Sequence, residues 1–113
     1  MNKNEILNLK TTNEQTSLWY LGQEGFIIGS RNYYIAIDPY LSDYVDKNCS
    51  QLVEWKRLYP APINPGELDF LNAVLCSHAH YDHADPWTLP KIAEANKKTV
   101  FIVPAPEVKT ISS

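Results

Sequence analysis

The stretch Ser77-His78-Ala79-His80-Tyr81-Asp82-His83 holds all three histidines of a 113-residue chain, with a carboxylate among them. The apolar run Ala73-Val74-Leu75-Cys76 before it reads as the core of a strand over 73–77 buried on both faces. Asp85-Pro86 after it reads as a helix start. The cluster is therefore expected on a loop at a strand end, where a rigid scaffold aims side chains at a site.

Neutral imidazoles and carboxylates are ligands that zinc, manganese and iron accept. In an extended backbone alternate side chains share a side, which places His78 and His80 together. Both can then reach one cation, at about 2.0–2.1 Å from nitrogen for zinc. Asp82 and His83 follow a bend at Tyr81 and face the same pocket from another direction, or hold a second ion. Two ions about 3.5–4 Å apart are a standard device for activating water in hydrolysis. The cluster is internal and flanked by strand and helix signals, so it is no purification tag.

Working outward, Met1 to Ser17 is a polar lead-in, expected to be poorly ordered or peripheral, with a short strand or helical turn at Ile6, Leu7 and Leu9. Ser17–Gly22, Phe26–Gly29 and Tyr33–Ile37 read as three strands joined by the turns Gln23-Glu24-Gly25 and Ser30-Arg31-Asn32, a β-meander. Trp19, Tyr20, Tyr33 and Tyr34 read as packing residues. Pro39 stops the third strand, and Asp38 either starts a turn or supports a ligating histidine from behind.

Tyr40 to Ala61 reads as irregular, with a short helical piece over Val53-Glu54-Trp55-Lys56-Arg57. The rigid loop Tyr59 to Gly66 carries three prolines, and Glu67 to Leu71 reads as one helical turn. Arg57 reads as a surface cation or as a contact for an anionic substrate group. Thr88–Asn96 is expected as a helix with Pro90 in its first turn and Leu89, Ile92 and Ala93 buried, Trp87 packing it on the sheet. Thr99–Val103 reads as a buried strand, and Ala105–Ile111 as a further helix start. The unit from 73 to 103 is a βαβ crossover, so its strands should be parallel.

The net charge of −3 and the lack of a basic patch speak against nucleic acid as a partner. No apolar run approaches the roughly 20 residues of a membrane span, and residues 1–17 lack a signal peptide's apolar core. Cys49 and Cys76 stand alone, as expected of reduced thiols in a cytoplasmic protein.

His78-Ala79-His80-Tyr81-Asp82-His83 matches the H-x-H-x-D-H pattern of the metallo-β-lactamase-fold hydrolases. Leu18 to Ile28, followed by Ile35-Ala36-Ile37-Asp38-Pro39, resembles that superfamily's opening hairpin and Asp-bearing strand end. Within it, Trp19-Tyr20-Leu21-Gly22, Asp38-Pro39-Tyr40-Leu41-Ser42 and the run Asp69 to Asp85 are most similar to the group containing the L-ascorbate-6-phosphate lactonase.

The resemblance implies an α+β chain forming the first half of an αββα sandwich, a β-meander followed by a βαβ unit over 18–113. It implies one or two divalent ions, zinc or manganese with iron also accommodated, held by His78, His80, Asp82 and His83. Asp38 would support them, and Asp82 would in addition hold the nucleophilic water. The activity implied is attack of a metal-bound hydroxide on a small ester or lactone. A catalytically inactive metal-binding or assembly module, and a nuclease of the same fold, are the alternatives.

The family's remaining ligands come from a second half whose sheet packs on the first. A homo-oligomer, or a missing C-terminal half, is the expected consequence. The substrate-binding residues are unknown from the sequence.

Overall fold

The computed structural model describes residues 1–9, 15–49 and 57–112. The helical piece expected over 53–57 lies, except for Arg57, outside the described residues. Five strands form one sheet in the order β1-β2-β3-β4-β5: Ser17–Gly22, Gly25–Ser30, Tyr33–Ile37, Ala73–Leu75 and Val100–Ile102. The first three are antiparallel neighbours, and β3, β4 and β5 run parallel. The helices are α1 (Lys3–Asn8), α2 (Tyr44–Cys49), α3 (Leu89–Ala95) and α4 (Val108–Ser112), with 3-10 turns at Pro65–Glu67 and Ala105–Glu107.

One face of the sheet carries the core. Trp19, Ile27, Ala36, Val74 and Phe101 form a row across the five strands, and α3 and the loop through Ile63, Leu68 and Leu71 pack on that side. Pro90 sits in the first turn of α3, where its missing N–H costs nothing, and Leu89 and Ile92 are the buried stripe. The Asn2 side chain accepts from the Glu5 amide and starts α1, whose Ile6 is fully buried in the same core. Among its described residues the polar lead-in thus buries Ile6 in the core, with Leu7 packed against it.

The opposite face is apolar and open. By register, Leu18, Ile28, Ile35, Ala73 and Val100 form one row on it, and Tyr20, Phe26, Ile37, Leu75 and Ile102 a second. None of the ten is buried; Leu18 is 64% exposed, Val100 57% and Ile35 40%. This corrects two expectations. β4 buries Val74 but leaves Ala73 and Leu75 half-covered, so it is not enclosed on both faces. Thr99–Val103 is not a buried strand: β5 is the sheet's edge, and Val100 and Ile102 point to its open side.

Three further expectations are corrected. Residues 44–49 are helical within a stretch read as irregular. Trp87 does not pack α3 onto the sheet but is exposed and meets Tyr44 edge to face. Tyr34 packs between Trp19 and Phe70, and Tyr20 meets Phe26 on the open face with ring centroids 5.2 Å apart, whereas Tyr33 is exposed. Among the described residues no helix is long and apolar enough to cross a membrane.

Candidate functional site

The C-terminal ends of β3 and β4 lie side by side, because Ile37 pairs with Leu75 in parallel register. The next residues are Asp38 on one strand and Cys76-Ser77 on the other, and the Asp38 amide donates to the Leu75 carbonyl at 2.9 Å. Asp38 adopts a left-handed backbone, φ 45°, which aspartate tolerates better than most residues. The β1–β2 turn presses on it from the other side. A Cβ at Gly25 would lie 2.8 Å from the Asp38 carbonyl oxygen, so only glycine permits that approach.

Asp38 is buried, 5% exposed, and its carboxylate is fully engaged. Oδ1 accepts the Ser77 amide at 2.7 Å; Oδ2 accepts the Ser77 hydroxyl at 2.6 Å and lies 2.8 Å from His83 Nδ1. Of the two roles open to Asp38 in the sequence, the contacts made are those of a support behind a histidine rather than of a turn starter bonded to its own strand end. Carboxylate-to-histidine contacts of this kind orient imidazoles toward metal ions.

The histidine loop is a run of bends and a turn, not an extended strand. His80 O accepts the amides of His83 and Ala84 at 2.9 and 2.8 Å, which folds His83 back over His78. The three rings meet: His78 and His80 have centroids 4.5 Å apart, and His78 and His83 3.9 Å apart. Ser77 Oγ is 2.8 Å from His78 Nδ1. Asp82 Oδ1 stands 3.6 Å from His83 Nε2. The four side chains proposed from sequence as ligands are thus brought together.

The donor chemistry fits a divalent cation: three imidazoles and a carboxylate, with the Nδ1 atoms of His78 and His83 already engaged from behind. The rings nevertheless lie against one another rather than around one point. Among the described residues no three His, Cys, Asp or Glu side chains form a ready group for an ion.

Two residues that carry the site were not singled out from the sequence. Ser77 joins Asp38 to His78. Asp85, fully buried, accepts from the Ser42 hydroxyl at 2.6 Å, from the Trp87 amide at 2.9 Å and from the Thr88 hydroxyl. Thr88 Oγ1 in turn accepts the Leu41 amide at 3.0 Å. Asp85 therefore ties the chain after β3 to the start of α3 and closes the far side of the histidine loop. The Asp-Pro pair was a signal for it, read as a helix start; α3 begins only at Leu89.

Arg57 is not a bare surface cation. Its guanidinium donates to the carbonyls of Tyr40 and Leu21 and lies over the Tyr40 ring, clamping the end of β1 to the loop after β3. Tyr44, at the centre of an aromatic group beside the loop, meets Tyr81 and Trp87 at 5.1 Å each. Cys76 lies under Asp38, and burial with the nearby carboxylate pushes its thiol up to about 11.

No family model matches the chain. It is similar to uncharacterized proteins of Mycobacterium bovis and Mycobacterium tuberculosis, 31% identical over 86 residues, or 76% of this chain. The matched segment is 22% of those proteins, so the chain spans about a fifth of the length of the curated relatives it matches.

Proposed function

We propose that this chain is the metal-binding part of a metallo-β-lactamase-fold hydrolase that acts, lactonase-like, on a small ester or lactone. The observation that carries the reading is the meeting of His78, His80 and His83 in front of one buried carboxylate, Asp38. His78, His80, Asp82 and His83 would hold one or two ions, zinc or manganese, with iron also accommodated by the donor set. Such an ion would lower the pKa of its bound water toward about 7 and polarise the bond to be broken. Asp82, whose carboxylate stands beside His83 Nε2 and is partly exposed, would in addition hold the nucleophilic water in place. Asp38 would keep His83 oriented from behind. The apolar face of the sheet is, in this reading, where the second sheet of an αββα sandwich packs.

Metal content measured by elemental analysis tests this. Wild type should carry or acquire zinc or manganese, and the double variant His78→Ala/His80→Ala should lose it. Equal metal in both defeats the proposal.

A second reading, a metal-binding or assembly module without catalysis, is favoured by the open apolar sheet face, which offers a surface for assembly. Turnover of a generic lactone by the zinc-loaded or manganese-loaded chain decides between them.

A further inference from the structure

We propose that Ser77 is a positioning residue in a hydrogen-bond relay: it transmits the demand of the Asp38 carboxylate to His78, so that one buried acid sets the tautomers of two histidines. The Ser77 hydroxyl has one hydrogen and two lone pairs. Asp38 Oδ2, 2.6 Å away, belongs to a carboxylate that only accepts, so the hydroxyl hydrogen points there. Ser77 Oγ can then meet His78 Nδ1, at 2.8 Å, only as an acceptor. His78 Nδ1 must carry the hydrogen, and its Nε2 keeps a free lone pair.

His83 reaches the same state directly. Its Nδ1 is 2.8 Å from Asp38 Oδ2 and 3.4 Å from Ser77 Oγ, so the carboxylate is its partner. His83 Nε2 is likewise left with a lone pair, on the side where Asp82 stands. Both rings therefore offer Nε2. Ser77 is locked in turn, because its amide donates to Asp38 Oδ1 at 2.7 Å. The hydroxyl cannot turn away without giving up a bond to a buried charge, which is worth roughly twice a neutral one. The serine immediately before the first histidine thus acts through Asp38 and His78 and needs no contact with an ion.

The assignment of hydrogens stands without a metal; its use for ligation rests on the metal-binding reading above. The test uses the full chain with 15N-labelled histidine in chelator-treated, alkaline buffer. Long-range 1H–15N correlation spectra report which ring nitrogen carries the hydrogen. The expected result is Nδ1–H for His78 and His83 in wild type. In Ser77→Ala, His78 should change to Nε2–H while His83 does not, and Ser77→Thr should restore His78. Nε2–H at His78 in wild type, or no change at His78 in a folded Ser77→Ala, overturns the relay. If Ser77→Ala does not fold, the wild-type and Ser77→Thr spectra still decide the assignment.

A zinc titration of the same proteins provides the second readout. Ser77→Ala should bind zinc about 10–100-fold more weakly than wild type, with recovery in Ser77→Thr, as for other residues that orient ligands. Equal zinc affinity in Ser77→Ala and wild type overturns the relay's role in ligation. Wild type that shows the expected tautomers but no zinc binding overturns the metal reading and leaves the hydrogen assignment standing.

Discussion

His83 Nδ1 lies 2.8 Å from Oδ2 of Asp38, a residue 45 positions earlier in the chain. That single contact joins the end of β3 to the turn beyond β4 and decides which way the third imidazole faces. Asp38→Ala removes the acceptor of the Ser77 amide, the Ser77 hydroxyl and His83 together. Stranded donors near the core cost about 1–3 kcal/mol each, some of it recovered by water at this partly open site. A loss of about 2–4 kcal/mol in urea unfolding is expected, with zinc affinity falling about 10–100-fold. Asp38→Asn, which keeps one acceptor oxygen and tolerates the left-handed backbone, should lose less stability.

Gly25 controls the same site without touching a ligand. Its added methyl would meet the Asp38 carbonyl oxygen, a main-chain atom that cannot swing aside. Gly25→Ala is expected to weaken zinc binding, although no histidine or carboxylate is altered. Titration calorimetry on Gly25→Ala against a distant control, Gly66→Ala, whose nearest neighbour is a side chain, checks this.

Asp85→Ala should destabilise the chain by more than about 4 kcal/mol, since hydrogen bonds to a charged group contribute about 1.5–3 kcal/mol each and three donors lose their acceptor at a fully buried position. Near-ultraviolet circular dichroism should change as well, because the backbones of Trp87 and, through Ser42, Tyr44 lose their anchor. An unchanged aromatic signal would show that Asp85 does not hold that cluster.

The two thiols should part company under alkylation. Cys49 is exposed, whereas Cys76 is 2% exposed and its thiol is pushed up to about 11 by burial and then by Asp38. Since the thiolate is the reactive form, iodoacetamide at pH 8 should modify Cys49 in the native chain and reach Cys76 only in urea. Mass spectrometry of the labelled peptides reads the outcome.

The open sheet face should govern association. Ile27 and Ile35 sit on adjacent strands but on opposite faces, one buried and one 40% exposed. Ile27→Ala is expected to cost about 2–5 kcal/mol. Ile35→Lys should cost under about 1 kcal/mol in the dissociated chain while reducing its self-association, measured by sedimentation velocity. A wild-type chain that sediments as a monomer at all accessible concentrations would remove the need for a covering partner.

The strands were legible because they carry β-branched or aromatic residues, most of them beside Gly, Pro or Asn punctuation. Burial on the far side was not legible. Ile35, Leu75, Val100 and Ile102 are as apolar as any core residue, and composition alone does not tell a covered face from an open one. The histidines were found because three in six positions is a strong local signal. Ser77 escaped because its role rests on a partner 39 positions away; Asp85 was read only as a helix start because its bond to Ser42, 43 positions away, is added to local bonds with Trp87 and Thr88. Arg57 was misread for the same reason: its acceptors are main-chain carbonyls, invisible to residue type.

The strand order of the sheet is the order of synthesis. Each new strand leaving the ribosome finds its neighbour already made, although the outer edge of β3 stays open until Ala73–Leu75 emerges. Contacts of low sequence separation form quickly, so the meander can be in place before Ala73 appears. Asp38 would then be seated before the histidines arrive, and the nascent loop would close onto a receptor already built to turn its imidazoles.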